Sequence, residues 1–299
     1  MFKRWFLFAL VNIGIVVTIS IVLSLLGVQP YLQANGINYE SLAIFCLVWG
    51  MGGAFISLLI SKKMAKWTMG VQIIDPNQGG EYGELVRTVH RLAKAAGLSK
   101  MPEVGVYNGS ELNAFATGPS KNNSLVAVSE GLLRHMTRDE VEGVLGHEVA
   151  HIANGDMVTM TLIQGVVNAF VMFFARIAAF AVQQFFRNDD EEGQGGMSYL
   201  AYHLTVFAFE IAFGILAAIV TAWFSRYREF RADSGGARLA GRPKMEAALR
   251  KLQSATEMIH EDGAAIQTMK ISAKPSKFLS LFSTHPPLDL RIERLRQFS

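Results

Sequence analysis

The hydropathic pattern divides the chain into long apolar runs separated by polar stretches. The runs cover 5–27, 41–60, 157–186 and 204–224, each as long as or longer than the ~18–20 residues a helix needs to cross a hydrocarbon core. The first two carry no charge, whereas Arg176 interrupts the third and Glu210 the fourth. Lys3 and Arg4 precede the first run, Lys62, Lys63 and Lys66 follow the second, and Arg226, Arg228 and Arg231 follow the fourth. The connection 28–40 holds one charge, the acidic Glu40. Basic residues at the outer ends of both hairpins put those ends, and the chain beyond Lys62, in the cytoplasm. The first run exceeds the roughly 7–15 apolar residues of a cleavable signal, so it is expected to remain as an anchor.

The second hairpin is read less simply, because a charge in hydrocarbon is costly. Arg176 and Glu210 lie at nearly equal distances from the middle of the acidic, Gly-rich link 188–196. In an antiparallel hairpin they meet at similar depth and are expected to pair. The alternative is that one or both face protein or the interface, with the hairpin only partly inserted.

The polar pieces have their own periodicity. Leu85, Val89, Leu92 and Ala96 predict a helix over 84–96 that stops at Gly97. Short β-type runs at 103–107, 113–117 and 124–129, separated by Asn, Gly, Ser and Pro, predict a small antiparallel sheet. Thr137-Arg-Asp-Glu140 is a capping box, and Asn154-Gly155 offers the matching stop. The expected organisation is a membrane hairpin at 1–60, then 61–156 and 225–299 as the two halves of one polar domain, separated by a second hairpin at 157–224. Those halves together are large enough for one core.

Composition adjusts this picture. Of 299 residues 51% are apolar, more than an ordinary soluble chain carries. The net charge of +3 is small and the basic residues form no face interleaved with aromatics, so no nucleic acid is expected as a partner. Cys46 is the single cysteine, which excludes an internal disulfide framework and a cysteine-rich metal site. A metal would need histidine and carboxylate ligands.

Such ligands are present. His147-Glu148-Val-Ala-His151 sets two imidazoles one turn apart on one helix face, where they can grip one zinc ion. Glu148 lies on the adjoining edge, placed to act as base on a water at the metal. A third ligand should come from another helix, with water at the fourth position. Glu229 is expected to supply it, and Asp233, four residues on, to accept the free imidazole N–H of a ligand. The competing reading of 228–233 is an exposed face whose acids pair with neighbouring arginines. His90, His135 and His260 read as ordinary residues. His151 precedes the third run by about six residues and Glu229 follows the fourth by about five; at 1.5 Å per residue both lie within roughly 10 Å of the membrane face. A non-enzymatic alternative, a membrane adaptor whose zinc merely ties two helices, needs a fourth protein ligand, and no cysteine is there to provide it.

Read together, the motifs resemble the HtpX heat-shock membrane proteases, relatives of the type I CAAX prenyl protease. The likeness runs through the paired spans, Asn113-Ala-Phe-Ala116, Gly146-His-Glu-Val-Ala-His151, Arg228-Glu-Phe-Arg-Ala-Asp233 and Ser283-Thr-His-Pro-Pro287. It implies an α+β, mainly helical integral membrane protein: four apolar helices in two hairpins and a gluzincin-like domain split by the second. It further implies a bacterial inner membrane location and cleavage of misfolded membrane proteins, with other membrane quality-control proteases as possible partners. The resemblance marks Asn113, Ala114, Phe115 and Ala116 as an edge strand that pairs with substrate, where an ordinary strand is the alternative. It marks His285 and Arg291 as oxyanion donors. Alternatively His285 ends a loop and Arg291 sits on the wet face of the last helix. A narrow processing peptidase of the prenyl-protein type would use the same chemistry.

Overall fold

A computed structural model describes residues 39–188, 197–264 and 281–297. The apolar run 5–27, nearly all of 28–40 and most of the acidic link lie outside these residues. Contacts divide the chain into two units, one of Met1–Ser57 with Thr161–Thr221 and one of Leu58–Met160 with Ala222–Ser299.

Three helices among the described residues are long and apolar enough to cross a membrane. They are α1 (Tyr39–Met69), α5 (Asp156–Asn188) and α6 (Tyr199–Ala240). None contains a proline or an internal stop signal, so each runs unbroken past the end of its apolar stretch. Within the first unit, α1 and α5 cross where side chains are small. A Cβ on Gly50 would lie 2.6 Å from the backbone nitrogen of Ala169, and one on Gly165 would lie 2.7 Å from the Met51 sulfur. Backbones approach this closely in lipid because small residues let dispersion contacts form. Leu42, Cys46 and Met172 fill the space beside this crossing, and Ala175 and Ala179 pack on Val206. Arg176 Nη1 donates to Glu210 Oε1 at 3.0 Å and to the Met172 carbonyl at 2.9 Å, the pairing expected from their equal spacing about the link.

The second unit holds α2 (Gly80–Ala95), α3 (Glu130–His135), α4 (Arg138–Asn154), α7 (Arg242–Ala264) and α8 (Leu288–Gln297), besides a four-stranded sheet. The strands are β1 (Gln72–Ile73), β2 (Glu103–Tyr107), β3 (Ala114–Ser120) and β4 (Asn123–Ser129), in the order β1-β2-β4-β3. The sheet is mixed, which corrects the antiparallel expectation: β2 and β4 are parallel. The reason is non-local. β3 makes a tight hairpin with β4, and β4, buried along Ser124–Ser129, takes the interior position beside β2. That leaves β3 at the free edge.

Helix α4 packs across this sheet with α2. Val86, Val89 and Leu92 of α2 and Val144, Leu145, Val149 and Ile152 of α4 share one core with Val126 and Val128. Both halves of the Thr137–Glu140 capping box form, and Gly155 ends the helix in the left-handed conformation, φ 74°. α7 presses on the outer side of α4. A Cβ on Gly143 would meet the Lys244 carbonyl at 2.4 Å, so only glycine fits there. Lys62 and Lys66, on the last turns of α1, pair with Glu103 of β2 at 2.9 and 2.6 Å. Burial alone would raise the Glu103 carboxyl, but these two ammonium groups hold it below the usual range.

Candidate metal centre

Two helices meet at the site, α4 and the tail of α6. Their close approach depends on glycine: a Cβ on Gly236 would stand 2.9 Å from the His147 nitrogen, and one on Gly146 3.0 Å from the Ala240 methyl. Through this contact α4 presents His147 and His151, and α6 presents Glu229 and Asp233. All four are buried.

The two imidazoles turn their Nε2 atoms toward each other at 3.0 Å. Glu229 closes the triangle, with Oε2 3.5 Å from His147 Nε2 and Oε1 3.4 Å from His151 Nε2. A tetrahedral ion with ligands at about 2.0–2.2 Å separates its donor atoms by roughly 3.3 Å, so the triad fits a metal of zinc's size and donor preference. Among the described residues these three form a group able to hold a metal ion.

Each imidazole is oriented from behind. His147 Nδ1 is 3.0 Å from Asp233 Oδ1. His151 Nδ1 is 2.6 Å from Asp156 Oδ2, and Asp156 is 2% exposed. A carboxylate that accepts the Nδ1–H leaves the Nε2 lone pair for the metal. The Asp233 contact is the one the sequence leads one to expect, whereas Asp156 is an addition that sequence reasoning missed. Its signal is an acidic residue directly after the Gly155 stop, five residues past a ligand, at the mouth of an apolar run. Asp156→Ala is expected to lower metal affinity about 10–100-fold. Asp156→Asn, which keeps an acceptor oxygen, should fall less. Competition with a chelator checks both.

The charges at the site are coupled. Burial works against ionising Glu229, yet His147, His151 and His285 hold its carboxyl far below the usual range. Burial likewise opposes the Asp233 charge, which Arg291 and His147 stabilise more strongly. For His147, burial pulls the imidazole down while Asp233 and Glu229 raise it to about 9. Metal uptake therefore displaces a proton, and affinity weakens as pH falls.

The remaining candidates also gather here. Arg291, on α8, clamps Asp233 with Nε at 2.8 Å and Nη2 at 2.6 Å, and its Nη1 is 3.7 Å from Glu229 Oε2. It is buried, not on a wet face. His285, with a side chain 59% exposed, places Nδ1 2.9 Å from Glu229 Oε2. Glu148 Oε2 accepts the Ala116 N–H at 2.7 Å, which brings the free edge of β3 onto the general-base candidate. Ala114, Phe115 and Ala116 lie in β3. Asn113 lies just before it and holds the strand's start: its Nδ2 donates to the Tyr107 hydroxyl at 2.8 Å, and its backbone exchanges hydrogen bonds with Ser129. His90 and His135 contact the carbonyls of Pro102 and Gly131, away from the triad, and the His260 side chain lies outside the described residues.

Comparison with known proteins agrees. The family model described as peptidase family M48 matches residues 81–299. A "Protease HtpX homolog" of Bacillus licheniformis is 53% identical, with 98% of each chain covered. Another from Bacillus subtilis is 52% identical over 99% of each, and a "Protease HtpX" of Shewanella piezotolerans is 52% identical over 98% of this chain and 99% of its own. The crystal structure of S. mikatae Ste24p superimposes with a TM-score of 0.60 over 99% of this chain and 67% of that one; at 17% identity the likeness is one of fold.

Proposed function

The chain belongs to peptidase family M48, as a membrane metalloprotease, and we propose that it is a zinc endopeptidase that removes misfolded or damaged membrane proteins. The observation that carries this reading is the triangle of His147 Nε2, His151 Nε2 and Glu229 carboxylate oxygens, 3.0–3.5 Å apart. One zinc ion per chain, held by these three residues, would polarise the scissile carbonyl and acidify a water.

The chain's own residues do the rest. Asp233 and Asp156 hold the two imidazoles in the ligating tautomer. Glu148 takes the water's proton and passes it to the leaving amine. His285 and the Nη1 of Arg291 face the carbonyl oxygen as it gains charge. An extended substrate joins the free edge of β3, whose Ala116 N–H points away from β4 and toward Glu148. Asn113 keeps that edge in register through Tyr107.

Lys62, Lys63, Lys66, Arg226, Arg228 and Arg231 support a domain on the cytoplasmic face of a multi-pass protein of the bacterial inner membrane. Membrane-associated chains are then the first substrates met, and other quality-control proteases of that membrane are natural partners. The test reconstitutes the protein in liposomes with a destabilised and a folded form of one membrane protein, beside a prenylated peptide. Faster loss of the destabilised form is the expected result. Cleavage of the prenylated peptide alone would identify a narrow processing peptidase instead.

A further inference from the structure

Arg226, Glu229 and Asp233 lie at i, i+3 and i+7 on α6, a track about 10 Å long on one helix face. Each residue grips a successive stretch of the C-terminal segment. Arg226 Nη1 donates to the carbonyls of Leu281 at 3.0 Å and Ser283 at 2.7 Å. Glu229 receives His285. Asp233 receives the Arg291 fork.

His285 is more than half exposed, so packing alone does not fix its ring. Two local constraints transmit the Arg226 grip: Ser283 Oγ donates to the His285 carbonyl at 2.6 Å, and the two prolines that follow, the first of them buried, limit φ up to the start of α8. The ring thus stands midway along a short strap braced at one end by Arg226 and at the other by Arg291.

We propose that Arg226 is a positioning residue of the peptidase reaction, which sets His285 at the metal centre by chelating the strap's backbone. This rests on the assignment of His285 as a donor to the reacting carbonyl. A guanidinium suits the task because one nitrogen carries two hydrogens and can serve two carbonyls at once, in a plane the side chain fixes. From sequence, Arg226 is one of three cations that mark a cytoplasmic helix end. The contacts to Leu281 and Ser283 give it a second employment.

The test measures peptide hydrolysis by the full-length zinc-loaded protein in detergent for Arg226→Ala, Arg226→Lys, His285→Ala and the Arg226→Ala/His285→Ala pair. Arg226→Ala should lower kcat by about 10- to 100-fold with KM nearly unchanged, the scale expected when a reacting group is misplaced by about 1 Å. Zinc content and Tm should stay at wild-type values, and Arg226→Lys should recover some of the loss. In the His285→Ala background, Arg226→Ala should cost nothing more. A full additional loss in the pair, or wild-type kcat in Arg226→Ala, would overturn the inference while leaving His285 in place. Wild-type kcat in His285→Ala would instead remove the assignment of His285, and the role of Arg226 with it.

Discussion

Glu148→Gln is expected to bind metal and fold as the wild type does while cleavage falls by about 10²–10⁴-fold, the usual contribution of a positioned general base. The substitution is nearly isosteric. Glu148 Oε2 accepts the Ala116 N–H, and an amide oxygen can accept the same bond, so the edge strand keeps its place. What disappears is the ability to take a proton from water and return it to the leaving amine. No donor atom of the His147, His151 and Glu229 triad is touched. Retained metal with lost turnover would therefore separate chemistry from assembly. Turnover near the wild-type rate would require a different base.

Glu229→Ala is expected to lose both metal and activity. The residue is 1% exposed and engages His147, His151, His285 and Arg291. Removing it leaves the two Nε2 atoms 3.0 Å apart without their third ligand, and with the Arg291 guanidinium close by. Metal affinity should drop by more than the roughly 10–100-fold that follows loss of an outer partner such as Asp156. Breaking a buried ion pair from one side also costs about 3–5 kcal/mol, here moderated because Arg291 keeps its bidentate bond to Asp233. Metal content after dialysis, read beside a thermal melt, distinguishes this outcome from Glu148→Gln.

The features legible in the sequence are those written locally. The capping box at Thr137 and Glu140, the stop at Gly155 and the four-residue spacing of His147 and His151 each depend on neighbours within one or two helical turns, and all three form as read. Glu229 and Asp233 are legible for the same reason, sharing one face of one helix. Equal distance from a link is enough to match Arg176 with Glu210.

Long-range relations are hidden. Nothing near 103–129 states that β4 enters between β2 and β3, because strand order is decided by which runs can be buried on both faces. Asp156 reads as an acid that favours a helix start, and only the fold reveals that it also closes on His151. Arg226 reads as a cation at a membrane boundary, and its contacts to Leu281 and Ser283 join residues 55 and 57 positions away. Asn113 belongs to the edge-strand motif, yet its side chain turns toward Tyr107 to anchor the strand.

If His147, His151 and Glu229 hold the zinc ion on which peptide cleavage depends, removing and restoring that ion must switch cleavage off and on. The most direct measurement strips the detergent-purified protein of metal, follows casein cleavage, and then restores zinc. No cleavage is expected before zinc, with recovery after it. Casein cleavage by the stripped protein at the full rate, or none from protein with zinc demonstrably bound, would contradict that role for the ion.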